Sequence, residues 1–190
     1  MIYIAVGCFG FLLIHLFDMV SIKKLPLAKP ITWGLGNILL VYALVMVCLQ
    51  AGKPALPVLS IWVGSPLLII SLFHLLYSLF VNLPFRITYI IAGTGDRLIK
   101  SGLYALVRHP GVIWFSLTML SLVFISQSIF MLTAALIFIF LDIVLVVIQD
   151  TFFFGKMFTG YADYRKQTPM LVPNRKSIQT FITSLKQAQT

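Results

Sequence analysis

The sequence predicts an all-α, polytopic membrane protein with about five transmembrane helices, a C-terminal helical hairpin and a cytoplasmic interfacial tail helix. Three observations carry that prediction. The 190 residues are 60% hydrophobic and only 10% charged, with a mean hydropathy of +1.02, whereas a soluble domain carries roughly a quarter charged residues. Apolar runs of about 20 residues, each long enough to cross a hydrocarbon core of roughly 30 Å, recur along the chain. The charges, finally, fall between those runs in a one-sided pattern.

The spans are predicted at residues 2–22, 31–50, 57–81, 112–126 and 129–149. With five crossings, the first interhelical loop, the loop between the third and fourth spans and the tail share one side of the membrane. Those three segments hold thirteen of the fourteen Lys and Arg residues, and only Lys53 falls opposite. The positive-inside rule then puts the N-terminus outside and the C-terminus in the cytoplasm. The net charge of +9 is therefore a topology signal with membrane-lipid contact, not a nucleic-acid footprint. The whole chain, 1–190, is one membrane domain: three spans to residue 81, a loop over 82–111, a hairpin over 112–150 and a tail over 151–190.

Each connection has a local reason. In KKLPLAKP, residues 23–30, Pro26 and Pro30 oppose helix formation. Residues 51–57 make a second tight turn, and Ser126-Gln127-Ser128 a shorter one that folds the fourth and fifth spans into an antiparallel hairpin. Residues 112–126 rise only about 22 Å, so the fourth helix is expected to begin earlier, with Pro110 in its first turn, where a missing N–H is harmless. In the tail, Ile178, Phe181, Ile182 and Leu185 recur at i, i+3, i+4 and i+7, the pattern of an interfacial amphipathic helix. Cys8 and Cys48 lie inside spans and are expected to pack as small apolar residues.

Ionisable residues at membrane depth are functional candidates, because burying them is costly. The chain has no glutamate; its aspartates are Asp18, Asp96, Asp142, Asp150 and Asp163. Asp142, Gln149 and Asp150 are expected on one face of the fifth span, with Asp150 level with Arg108 and His109 at the hairpin's open end. An Arg108–Asp150 ion pair is the simplest structural account. His15 and Asp18, three residues apart, are expected to satisfy each other, and Ser71, His74 and Ser78 to hydrogen-bond between helices. The histidines and cysteines do not cluster, so no metal site is expected. Gly93-Thr94-Gly95 lacks the strand and third glycine of a dinucleotide loop.

The stretch Gly102, Tyr104, Arg108, His109, Pro110 stands directly before a helical hairpin. It is followed by Gln149-Asp150, by Tyr161 and Tyr164 three apart, and by Pro169 and Pro173. Over residues 98–173 this resembles the membrane-integral superfamily of isoprenylcysteine carboxyl methyltransferases and phospholipid N-methyltransferases. The chain departs from that pattern at Val112, Trp114 and Gln149, which leaves the methyl acceptor open. The resemblance implies S-adenosylmethionine as methyl donor and a lipidic or small hydrophobic acceptor. It also implies Arg108 and Asp150 as catalytic residues, with Gly102, Tyr104, His109, Pro110, Tyr161 and Tyr164 around the cofactor. Two other readings stay open: an NADPH-dependent enzyme like the membrane sterol reductases, and a non-catalytic membrane scaffold or lipid-binding subunit.

Overall fold

The computed structural model describes residues 1–50, 52, 56–90 and 98–187. Among them every regular element is a helix: α1 (Ile2–Ile22), α2 (Ala28–Leu49), α3 (Ser60–Leu76), α4 (Leu103–Leu106), α5 (Pro110–Ser126), α6 (Ile129–Ile148), α7 (Phe154–Met157), α8 (Tyr161–Gln167) and α9 (Arg175–Gln187), with π-helical turns at Tyr77–Val81, Arg86–Ile90 and Gln149–Phe153. Four stretches are long and apolar enough to cross a membrane: Ile2–Ile22, Ala28–Leu49, Ser60–Val81 and Ile129–Met157. The fifth, α5, is apolar but shorter, and it begins at Pro110 as expected.

The α2 helix corrects the first connection. It starts at Ala28, so Pro30 sits in its first turn and breaks nothing. Lys29, expected in the loop, is fully buried, with its ammonium 5.4 Å from the centre of the Phe17 ring. Its helix start carries it inward, and the aromatic face gives the charge a partner.

Two helix pairs set the frame: α1 packs along α2, and α3 along α5, while α6 lies against α1, α2 and α5. In lipid, apolar surface alone does not drive helices together, so close packing must. At Gly10 an added Cβ would lie 2.8 Å from the Gly36 carbonyl oxygen, and the converse contact at Gly36 is equally short. The backbones of α1 and α2 therefore touch where only glycine fits. Phe11, Met119, Met131 and Phe138 fill the core between α1, α5 and α6, all nearly inaccessible. Cys8 and Cys48 are free and half-buried, and the Cys48 thiol lies 3.6 Å from the Met131 sulfur.

The polar stripe on α3 is partly as expected. Thr118 Oγ1 on α5 donates to Ser71 Oγ at 3.1 Å. His74 instead stacks its ring on Trp114, centroids 4.3 Å apart, while Nδ1 meets the Ile70 carbonyl of its own helix. The expected turn over 51–57 lies partly outside the described residues, and Gly93-Thr94-Gly95 wholly so.

Candidate functional site

The α5–α6 hairpin closes at one end through a short turn. Gln127 adopts the left-handed conformation, with φ of 52°, and Ser128 Oγ caps α6 by accepting from the Phe130 amide. At the other end the two helices are tied by side chains. The C-termini of α1, α3 and α6 meet there with the N-termini of α2 and α5, so the polar residues of five helix ends gather at one pole.

The backbone before α5 is fixed by the tail. The Arg108 amide donates to the Pro169 carbonyl at 2.9 Å and the His109 amide to the Met170 carbonyl at 3.2 Å. Without that partner strand the amides preceding Pro110 would be left unpaired. Upstream, Gly102 has φ of +60°, and a Cβ there would lie 2.4 Å from the Asn82 side chain. Only glycine makes this turn, which sets the start of α4. The Tyr104 hydroxyl donates to the Ser78 carbonyl at 3.3 Å, and the Tyr104 carbonyl accepts from the Tyr164 hydroxyl at 2.6 Å. Tyr104 thus pins the third span to the tail rather than facing the carboxylate.

Asp150, 4% exposed, is the hub. Its Oδ1 accepts from Arg108 Nη1 and from the Tyr161 hydroxyl. Its Oδ2 lies 3.3 Å from Nε of Arg165, a residue half in solvent. The His109 Nε2 faces the same carboxylate, 3.5 Å from Oδ1, at the outer limit of a hydrogen bond. The expected Arg108–Asp150 ion pair is present, and it belongs to a larger network drawn from the segment before α5, the π-helical turn after α6, and α8. A π-helical turn at Gln149–Phe153 continues α6 and carries Asp150. Adjacent residues of a helix point about 100° apart, and Gln149 Nε2 donates to Asp18 Oδ2 on α1 at 2.8 Å while Asp150 meets Arg108. Asp18 is thereby tied to the end of α6.

Aromatic rings wall the hub on one side. Phe154 stacks on His109 at 5.6 Å and meets Tyr161 edge-on at 5.5 Å, and Tyr161 meets Tyr164 at 6.0 Å. Burial holds His109 below its ordinary value, partly offset by the hydrogen-bonding and charge of Asp150. Burial likewise raises the hydroxyls of Tyr161 and Tyr164, so Tyr161 remains the proton donor to Asp150.

One side-chain atom of the hub stands out. Arg108 Nε is buried and, among the described residues, has no hydrogen-bond partner, while its side chain is 8% exposed. An unpaired buried polar group of this kind costs about 1–3 kcal/mol.

Of the sequence-predicted residues, Arg108, His109, Asp150 and Tyr161 converge directly, Tyr104 and Tyr164 support them, and Gly102 and Pro110 shape the backbone. Arg165 and Phe154 were missed. Arg165 sits one position after Tyr164, and Phe154 one helical turn after Asp150, which is the signal that was there to find. Comparison with family models, with curated proteins and with solved structures finds no match to this chain.

Proposed function

We propose that the chain is an integral membrane methyltransferase, similar to the isoprenylcysteine carboxyl methyltransferase and phospholipid N-methyltransferase superfamily, that moves a methyl group from S-adenosylmethionine to a lipophilic acceptor. The observation that carries this reading is the convergence of Arg108, His109, Asp150 and Tyr161 at one pole of an apolar bundle, with the buried Arg108 Nε unpaired. S-adenosylmethionine, when bound, would supply an activated methyl on a cationic sulfur. The residues fit such a group. Arg108 Nε and His109 Nε2 suit its carboxylate and hydroxyls, and the ring faces of Phe154, Tyr161 and Tyr164 suit a cation. Asp150, fixed as a carboxylate by Arg108 and Tyr161, is placed to accept a hydrogen bond from an ammonium. Methyl transfer by displacement needs positioning more than acid–base help, and this network is a positioning device.

With the N-terminus outside, as the basic residues imply, the pole opens to the cytoplasm. A water-soluble donor would then arrive from one side and a lipid acceptor from the bilayer. Calorimetric titration of detergent-purified protein with S-adenosylhomocysteine, with NADPH as comparator, tests the reading. Saturable binding of the former, weakened by His109→Ala and Tyr161→Ala with folded protein retained, is the expected result. Binding of NADPH alone would favour the reductase reading, and no binding of either the scaffold.

A further inference from the structure

Four of the five aspartates lie among the described residues, and three of them have partners within the chain. Asp18 accepts from Gln149, Asp150 is held by Arg108 and Tyr161, and exposed Asp163 pairs with Lys166 at 3.3 Å. Asp142, on α6, makes no hydrogen bond or ion pair among the described residues. It stands on the inward strip of its helix. Phe138, four residues before it, and Leu145 and Val146, three and four after it, are 0%, 6% and 5% exposed, and helical spacing puts all four on one face. The lipid-facing strip of α6 is a different one, formed by the exposed Leu136, Phe140, Ile143 and Val147. Asp142 is nevertheless only half-buried, so a small opening lies beside its side chain on the inner side of the helix, where α6 meets α1, α2 and α5.

A carboxylate set among apolar side chains at membrane depth is costly unless something pairs with it, and a leucine would fill the position without that cost. No described residue supplies the pairing, so the partner comes from outside the chain. A hard metal cation fits poorly, because it takes about six or more oxygen ligands and no group of three or more His, Cys, Asp or Glu forms among the described residues. An alkylammonium fits both halves of the site. Its charge meets the carboxylate in a charge-assisted hydrogen bond, and its hydrocarbon tail lies against apolar neighbours such as Phe138 and Leu145. We infer that Asp142 is a binding site, inside the membrane span, for the ammonium group of an aliphatic amine. The site stands apart from the hub and from the methyltransferase reading, since Asp150 lies eight residues further along, about 12 Å at 1.5 Å per residue.

The test uses the whole protein in phosphatidylcholine nanodiscs and radiolabelled dodecylamine, with binding to empty nanodiscs subtracted. Saturable binding is expected, with affinity at least about tenfold lower in Asp142→Asn and in Asp142→Leu. Dodecanol, which has the same chain without the charge, should compete weakly. Both variants should melt no lower than the parent, because they remove a carboxylate that has no partner in the chain; in this Asp142→Asn differs from Asp150→Asn. Equal dodecylamine affinity in parent and variants would mean partition into lipid only and would overturn the inference. A melting temperature that drops in Asp142→Asn, or a failure of both variants to fold, would overturn it too, since the carboxylate would then have a partner within the protein. Competition by dodecanol as strong as by unlabelled dodecylamine would overturn the ammonium as the group that is bound.

Discussion

The two ends of the α5–α6 hairpin are built in opposite ways. At one end Ser126, Gln127 and Ser128 are neighbours in sequence, and the turn closes through the left-handed Gln127 and the Ser128 cap. At the other, Asp150 gathers Arg108, Tyr161 and Arg165, and the tail carbonyls at Pro169 and Met170 hold the incoming chain. The turn of adjacent residues closes largely on itself, with a tie to the start of α3 where Gln127 Nε2 donates to the Pro57 carbonyl at 3.0 Å. An end made of distant charged residues orders a large part of the chain at once.

The contrast predicts unequal sensitivity. Asp150→Asn should have the largest effect, because it leaves the buried Arg108 guanidinium without its counter-charge. Breaking such a pair from one side costs about 3–5 kcal/mol, to be seen as a large drop in the detergent melting temperature. An Asp150→Asn protein as stable as the parent would refute the hub. Tyr161→Phe removes one hydrogen bond to a carboxylate and should cost about 1.5–3 kcal/mol, with Asp150 and Arg108 still paired. At the turn end, Ser128→Ala should cost only about 1 kcal/mol and leave S-adenosylhomocysteine binding untouched. If instead it abolished binding, the two ends would not be independent.

Smaller effects sharpen the hub itself. Because burial holds His109 below its ordinary value of about 6.5, the unfolded chain takes up that proton at higher pH than the folded one. The stabilising contribution of neutral His109 is complete above that ordinary value and is lost as the pH falls below it. Melting temperature followed downward through this range should decline more in the parent than in His109→Gln. Arg165→Ala should change stability least, by about 0.5 kcal/mol, since a half-exposed ion pair is screened by solvent. Its effect should show instead in ligand affinity, measured by the same calorimetry.

The fold was legible wherever the signal was local. Hydropathy marked the spans, Pro110 marked the start of α5, and Ser128 the turn. Pro30 was misleading because a proline in a helix's first turn and one in a loop look alike in sequence. Gln149 and Asp150 lie on neighbouring strips of the helix, and sequence spacing does not say which partner each strip meets. Arg165 and Phe154 adjoin predicted site residues in the chain, but only what they touch shows that they belong to the hub.

What the sequence by itself determined is the apolar, helical, multi-span character and the position of the polar residues along each span, since both follow from water, hydrocarbon and the period of a helix. What only the tertiary structure decided is which of those polar residues meet. Asp150 could have faced another partner than Arg108, and Lys29 could have lain in water. The choice falls to close packing at Gly10 and Gly36 and to the tail carbonyls that hold Arg108 and His109 in place. Those contacts join residues far apart in the chain, and no local pattern specifies them.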